Sequence, residues 1–571
     1  MKKESTKKDE HRFVVENDSL KKVDDGGKTL VANFHLEIKK QILVEDEGKI
    51  RDRQLQIDLK MPNRKVPFAI SANEFLSQGL KKKIFEVAGS SAIIYGSTND
   101  LQVGTQDLAG KIPEITIKSH GLTYEGNFYS QGMLITPSGI MRSKDILVDL
   151  SGGNLSRYLE FIYPDPKRLP HIGRHLVGDF LHLKNHRVMF VLAGHIGLAP
   201  FASEIPRSFS MEKVALHLMG ASGGGKTFLV ALAMGFFGQF NERLASWNWT
   251  PNSLESEGYW FRDALFVIDD FKGGFVPQQS LVRIFQDYSG GHGRSRLSSS
   301  SRIQRPVHIR GLLLSTGEDF LADVASVTGR TICIPVEPEK NTKAGEQCKK
   351  FCGLYSMFTP ALIHAVISQR DWKTRAKEFV DEKISLFHKE VMDLSNGLRV
   401  ASNWGLNALG FEFFLQGLSK LGVISTSERR KMADEYLSIA LDYLQEQRST
   451  LRGQSPCEIF FRILSQKLEA GSISVKGLKD SQSSGKVIGM VKDQAVLIFP
   501  DIVFEVLSGH FHAVNQQVPL SRNSLRDALA QNGLLQRPKA GRWSTQFRDD
   551  AGRQHNGWAF DKEMFQKKIK F

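Results

Sequence analysis

Eight consecutive residues, Gly220-Ala221-Ser222-Gly223-Gly224-Gly225-Lys226-Thr227, have the spacing G-x-x-x-x-G-K-T. That spacing suits a polyphosphate. The glycines let backbone N–H groups turn inward, the lysine reaches the β- and γ-phosphates, and the threonine hydroxyl faces Mg²⁺. A flexible Gly/Ser loop would share the composition but not the flanks. Residues 214–218 (VALHL) are a short β-type run, and Phe228, Leu229, Leu232, Ala233 and Phe236 follow at near-helical spacing. Strand, glycine loop and helix together aim a helix N-terminus at an anion.

Downstream, ALFVIDDF is an apolar run ending in Asp269 and Asp270. Hydrolysis of a phosphoanhydride needs one carboxylate in the metal's shell and a second to orient or deprotonate water. Asp269 is assigned to the metal with Thr227, and Asp270 to the water; two solvated acids at a strand end are the alternative. RGLLLSTGEDF then predicts a buried strand ending in Ser315 and Thr316. Either hydroxyl can bond a γ-phosphate or the water, although Ser and Thr also serve as plain caps. Arg330 opens the β-run RTICIPV. In ring ATPases an arginine there reaches the neighbouring subunit's γ-phosphate and offsets transition-state charge; the alternative is an ordinary salt-bridged arginine.

Residues 290–310 carry Arg294, Arg296, Arg302, Arg305 and Arg310 and no acid. Guanidiniums among Ser and Gly suit a nucleic-acid backbone, on a hairpin aimed into a ring's channel; a solvated basic loop has the same composition. Near the C-terminus, LSRNSLRDALAQNGLL reads as a helix and GRWSTQFRDDAGRQHNGWAF as two strands around a turn. This is the outline of a winged helix, with Arg522 and Arg526 on the helix and Arg542 and Arg548 in the wing, or of a small protein-binding domain. The chain's net charge is +14, and residues 451–571 hold 18 Lys+Arg against 11 Asp+Glu. Such a balance favours an anionic partner, nucleic acid before membrane.

The elements that must position these residues fill 571 positions, 41% of them hydrophobic, enough for three or four domains. Residues 1–28, rich in Lys, Glu and Asp, are expected to be disordered. Residues 29–165 read as an α+β domain, with strands in VANFHLEI and RQLQIDL and a helix in SANEFLSQGLKKKIFEVAG, capped by Ser71 and stopped by Gly89. Strand–helix alternation over 166–344 predicts an α/β core. Residues 345–452 are mainly helical, a lid, and 453–571 form the basic winged-helix-like unit. Four cysteines without a paired C-x-x-C pattern argue against a disulfide or metal framework and for reduced thiols in the cytoplasm. The opening MKKESTKKDEHR lacks the apolar stretch of a signal peptide. The apolar run 188–202 is short and interrupted by His195, Gly197 and Pro200, so it predicts a core helix rather than a membrane span.

In order, GASGGGKT, WNWTPNSLE, FVIDDF, GRSR, LLLSTGED, GRTICIPV and LRVASNWGL resemble the domain-of-unknown-function family 927. These are AAA+ ATPases of mobile genetic elements and prophages, related to superfamily-three and minichromosome-maintenance-like helicases. The resemblance covers roughly residues 110–420. It implies a P-loop AAA+ core that uses ATP and Mg²⁺, assembles as a homo-hexamer and acts on single-stranded or forked DNA. It implies a sensor at Ser315 or Thr316, a finger at Arg330, and a second sensor at Arg399, in LRVASNW. Where many relatives have Asp-Glu, this chain has Asp269-Asp270. No primase or nuclease constellation is visible, so priming would need a separate primase or polymerase. The competing function is a nucleotide-dependent DNA-binding switch that hydrolyses slowly without unwinding. A small-molecule kinase is disfavoured by the length, the arginine-rich segment and the finger candidate.

Overall fold

The computed structural model describes residues 12–569 except 242, 273–275, 292–293, 298–302, 319–324, 339–340, 395, 454–455, 479–484, 514–520, 537–544 and 549–553. Within the stretch expected to be disordered, Phe13–Glu16, Ser19–Asp24 and Gly27–Ala32 form an antiparallel meander. Phe13, Leu20, Val31 and Ala32 are buried, while Asp24, Asp25 and Lys28 are exposed. Composition averages over an alternation that a strand separates onto two faces. The Phe13 ring lies on Gly104, where a Cβ would stand 2.7 Å from Cδ1.

The hairpin His35–Asp46/Lys49–Met61 is the centre of a five-stranded sheet. Its strand order is Leu147–Val148, Glu114–Lys118, His35–Asp46, Lys49–Met61, Arg64–Ser71. Ser71 closes a capping box with Glu74. The helical segment behind it splits into Ala72–Phe75 and Gly79–Ala88, with Gly89 as the C-cap.

A four-stranded antiparallel sheet follows, made of Gly121–Leu122, Phe128–Ser130, Met133–Thr136 and Gly139–Arg142. Leu122, Phe128, Met133 and Ile135 belong to the central hydrophobic core, not to the N-terminal one. Leu147–Val148, by contrast, pairs with Glu114–Lys118 in the N-terminal sheet, so the stretch 29–165 contributes to both units. Phe161 and Leu169, beside the prolines at 164, 166 and 170, are core residues.

A charged cluster joins the two units. Asp46 accepts from Arg310 Nη1 at 2.9 and 3.0 Å and from Arg262 Nη1 at 3.4 Å. Burial pushes this carboxyl up; the charges of Arg310 and Arg262 and the hydrogen bonds it receives outweigh that and hold it below the ordinary range. Arg310, grouped above with the basic segment, is thus committed to a buried carboxylate and is not a backbone contact.

His120 sits beside this cluster, edge-on to Phe128 and Phe161 at 5.3 and 5.8 Å. Burial, with the charges of Arg262 and Arg310, pushes it from 6.5 to about 3. Its contribution to stability is present above pH 6.5 and is lost as pH falls towards 3, because the unfolded chain takes up a proton that the folded one refuses. His120→Phe is therefore expected to raise the melting temperature at pH 5 more than at pH 8. Equal shifts at both pH values in parallel thermal melts would refute this account.

The central sheet is fully parallel, in the order Ala245–Ser246, Leu265–Phe271, Leu312–Gly317, Ala215–Met219, Thr331–Pro335. The strand carrying Ser315 and Thr316 therefore lies between the glycine-loop strand and the acidic strand. Beside the sheet runs His186–Leu198, buried at every residue from Val188 to Leu198. It crosses the long helix Gly397–Lys420 backbone to backbone. A Cβ on Gly197 would stand 2.1 Å from Gly410 O, and one on Gly410 would stand 1.9 Å from Gly194 O. The stretch Thr342–Ile367 has the length and apolarity of a membrane span, but most of it is buried inside the protein.

The C-terminal unit has its own core. Helix Pro456–Glu469 precedes a five-stranded sheet ordered Ile473–Lys476, Lys486–Lys492, Ala495–Ile498, Gln554–Asp561, Thr545–Arg548, with helices Pro500–Ala513 and Arg522–Gln531 between its strands in sequence.

Candidate functional site

The glycine loop leaves strand Ala215–Met219 at its C-terminal end. Gly220 has φ +151°, and a Cβ there would stand 2.5 Å from Val336 O, so only glycine fits beside the neighbouring strand. Gly225, at φ +84°, is the left-handed N-cap of helix Lys226–Met234. The loop thus delivers the N–H groups of a helix start to a single point, where anions are stabilised. Lys226 is buried and donates to Gly220 O at 2.6 Å and Ala221 O at 2.9 Å. Ser222 and Gly223 are exposed at the tip.

Asp269 is where the predicted residues meet. Its Oδ1 accepts from Thr227 Oγ1 at 3.3 Å and from Thr316 Oγ1. Thr316 Oγ1 in turn accepts from the Asp270 backbone N–H at 3.1 Å. Loop, acidic strand and threonine strand are therefore tied at one end of the sheet. Hard oxygen donors at this separation fit Mg²⁺, which takes few protein ligands and relies on phosphate and water for the rest. Among the described residues no group of three or more His, Cys, Asp and Glu could hold a metal ion.

Ser315 lies elsewhere. It is fully buried and accepts from Trp247 Nε1 at 2.8 Å, with His217 Nδ1 at 3.1 Å. The structure separates the two hydroxyls the sequence left equivalent: Thr316 faces Asp269 and Ser315 faces the core. Asp270 projects differently again. The acidic strand shifts register between Ile268 and Phe271, and Asp270 takes φ +62° with its carboxylate exposed, 3.5 Å from Lys272 Nζ. Aspartate is enriched in the left-handed region relative to other non-glycine residues.

Arg330 and Arg399 lie at the opposite end of the sheet. The Arg330 carbonyl pairs with the Ala215 N–H, at the start of the loop strand, about 13 Å of strand from its far end at roughly 3.3 Å per residue. Both arginines contact Glu212, at 3.3 and 3.1 Å. Neither adjoins the glycine loop of its own chain.

Of the basic residues, Arg294 and Arg296 lie on strand Arg294–Leu297 and Arg305 on Ile303–Val307, paired antiparallel as a hairpin; Arg548 lies on Thr545–Arg548. The side chains of these four, and Arg302 and Arg542 entirely, lie outside the described residues. Arg522 bonds Asp501, and Arg526 bonds the adjacent Asp527.

Sequence reasoning missed the cavity beside the loop. It measures about 520 Å³ and is lined by Leu183, Lys184, Gly225, Phe228, Pro338 and Thr342 among others. Apolar walls with a few polar groups, at this size, suit a small-molecule ligand. Its wall is assembled from segments more than 100 residues apart, and no local spacing signals that.

Residues 176–306 match the family model described as Domain of unknown function (DUF927). No curated protein matches the sequence. Among solved structures, the chain is similar to the SCCmec type IV Cch active helicase, with 15% identity and a TM-score of 0.58 over 99% of this chain and 100% of that one. It is also aligned with the A form apo structure of the NrS-1 C-terminal region, at 13% identity and a TM-score of 0.27, over 69% of this chain and 85% of that one. At such identities the first likeness shows the fold alone: the architecture, α/β with a parallel sheet at its centre, is shared along nearly the whole chain with a protein described as a helicase.

Proposed function

We propose that this chain is an ATP-hydrolysing, ring-forming DNA helicase or replication-initiator ATPase of a mobile genetic element or prophage. The observation that carries the reading is the meeting of Thr227 and Thr316 on Asp269, one helix start away from Lys226. In it, Lys226 and the loop N–H groups hold the phosphates of ATP, and Thr227 and Asp269 hold Mg²⁺. Thr316, rather than Ser315, senses the γ-phosphate, and Asp270 orients the water. The cavity beside Phe228 takes the nucleoside. Bound Mg²⁺ supplies charge compensation at the phosphates. Arg330 and Arg399 lie at the opposite end of the strands from the glycine loop, so they serve the neighbouring subunit, and hydrolysis depends on assembly into a homo-hexamer.

The strands bearing Arg294, Arg296 and Arg305 form a hairpin directed at DNA in the channel. The C-terminal unit, read as a winged helix, adds contacts through Arg522, Arg526, Arg542 and Arg548. Forming those contacts means exchanging Asp501 and Asp527 for phosphates. The net positive charge and the fold shared with a helicase support this reading.

A second reading, a DNA-binding switch that hydrolyses ATP slowly, is favoured by one observation. The Asp270 carboxylate is exposed, paired with Lys272, and one methylene shorter than the glutamate it replaces. Strand displacement on a forked duplex with ATP, run beside Asp270→Asn, separates the two. The motor unwinds, and Asp270→Asn does not. Wild-type protein that turns over ATP with single-stranded DNA but displaces no strand would be the switch.

A further inference from the structure

At the end of the strands away from the glycine loop, one carboxylate holds two guanidiniums. Glu212 Oε2 stands 3.3 Å from Arg330 Nε and 3.1 Å from Arg399 Nε, and Oε1 accepts from Arg399 Nη2 at 3.4 Å. Arg330 Nε also donates to Ser289 Oγ at 2.7 Å. The three residues come from separate elements: the segment ahead of the loop strand, the turn before Thr331–Pro335, and the first turn of Gly397–Lys420.

Two arginines brought this near repel each other. Burial and the Arg399 charge both press the Arg330 pKa down from its ordinary value, and Glu212 opposes them. Glu212 contacts both guanidiniums and offsets that repulsion. Beside it lies a cavity of about 530 Å³ lined by Glu212, Arg399, Asn403, Asp381 and Leu398 among others. Leu398 is 61% exposed. A concave face that sets Arg399 beside two carboxylates and a bare leucine fits a protein surface better than a free anion.

We infer that Glu212 is a positioning residue for the shared site: it sets Arg330 and Arg399 side by side in the orientation in which a second copy of this chain presents its bound γ-phosphate. This rests on the reading of Arg330 as a finger acting in trans. A guanidinium carries five N–H donors in a rigid fork. Ser289 Oγ takes the Arg330 Nε–H and Glu212 Oε1 takes an Arg399 Nη2–H, while the Glu212 charge, in contact with both guanidiniums, holds the two forks on one face. With Glu212 removed, repulsion splays the pair, and a displacement of about 1 Å at such a position costs on the order of 10²-fold in rate.

The test uses the full chain and steady-state ATP turnover with single-stranded DNA. Glu212→Ala is expected to lower kcat by about 10²-fold. KM for ATP should stay near the wild-type value, because ATP is held at the other end of the strands of the same subunit. Glu212→Gln, close in shape and still an acceptor, should fall between wild type and alanine, and it carries the test if the alanine variant does not fold. Mixing Glu212→Ala with Lys226→Ala should restore turnover: the lysine variant contributes an intact Glu212 face to the loop of the glutamate variant. A purely structural role would give no rescue on mixing, and that result, or an unchanged kcat, overturns the inference. If Arg330→Ala is slow while Glu212→Ala is not, only this inference falls. If Arg330→Ala turns over normally, the trans finger falls and takes the inference with it.

Discussion

Arg330→Ala is expected to bind ATP as the wild type does and to turn it over at least about 10³-fold more slowly. Binding survives because the residues proposed to hold ATP are Lys226, the loop glycines and the wall around Phe228, at the other end of the sheet. Turnover fails because the neighbour's γ-phosphate loses the charge that offsets its transition state. Lys226→Ala should also be inactive, for the opposite reason. A mixture of the two should recover activity at those interfaces where an intact loop meets an intact finger. Titrating one variant into the other at constant total protein measures this. A flat, inactive profile would sink the shared site.

Asp269→Ala is the second large effect. Its carboxylate is the point on which Thr227 and Thr316 converge. Losing a metal ligand removes several kcal/mol of charge stabilisation, so turnover should drop by about 10³-fold. Thr316→Val should follow in the same direction, because its hydroxyl bridges Asp269 and the Asp270 backbone. Ser315→Ala should act differently: its hydroxyl serves Trp247 and His217, so it should lower the melting temperature and leave kcat near wild type. Turnover by Asp269→Ala within tenfold of wild type, measured by phosphate release across a Mg²⁺ titration, would remove Asp269 from the metal role.

The glycine loop was legible because its chemistry is local: eight residues carry both the backbone freedom and the lysine, and the flanks announce strand and helix. The acidic pair was legible as a pair. That its two members point different ways was not, because a register shift inside a strand has no compositional mark. Ser315 and Thr316 were indistinguishable, since neighbours in a strand face opposite sides and only the packing of Trp247 and Thr227 shows which side is which. Glu212 was invisible. It is a single acid whose meaning comes from arginines at 330 and 399, and only the fold brings these three together. The meander over 13–32 was obscured by its lysines and acids.

The glycine crossing between His186–Leu198 and Gly397–Lys420 bears on how nucleotide would be exchanged. With Gly194, Gly197 and Gly410 in backbone contact, the long helix is seated on the floor of the sheet, and even one added methyl group would have to force the pair apart at a cost of about 1–3 kcal/mol. A helix seated this way cannot swing clear as a hinged cover. Entry and exit of a ligand would then fall to the lighter parts that border the cavity, Leu183 and Lys184 on one side and helix Thr342–Phe351 on the other. Beyond residue 351 the helical region named a lid in the sequence would be a fixed wall, and the rate of product release would be set by its first helix, a segment about ten residues long.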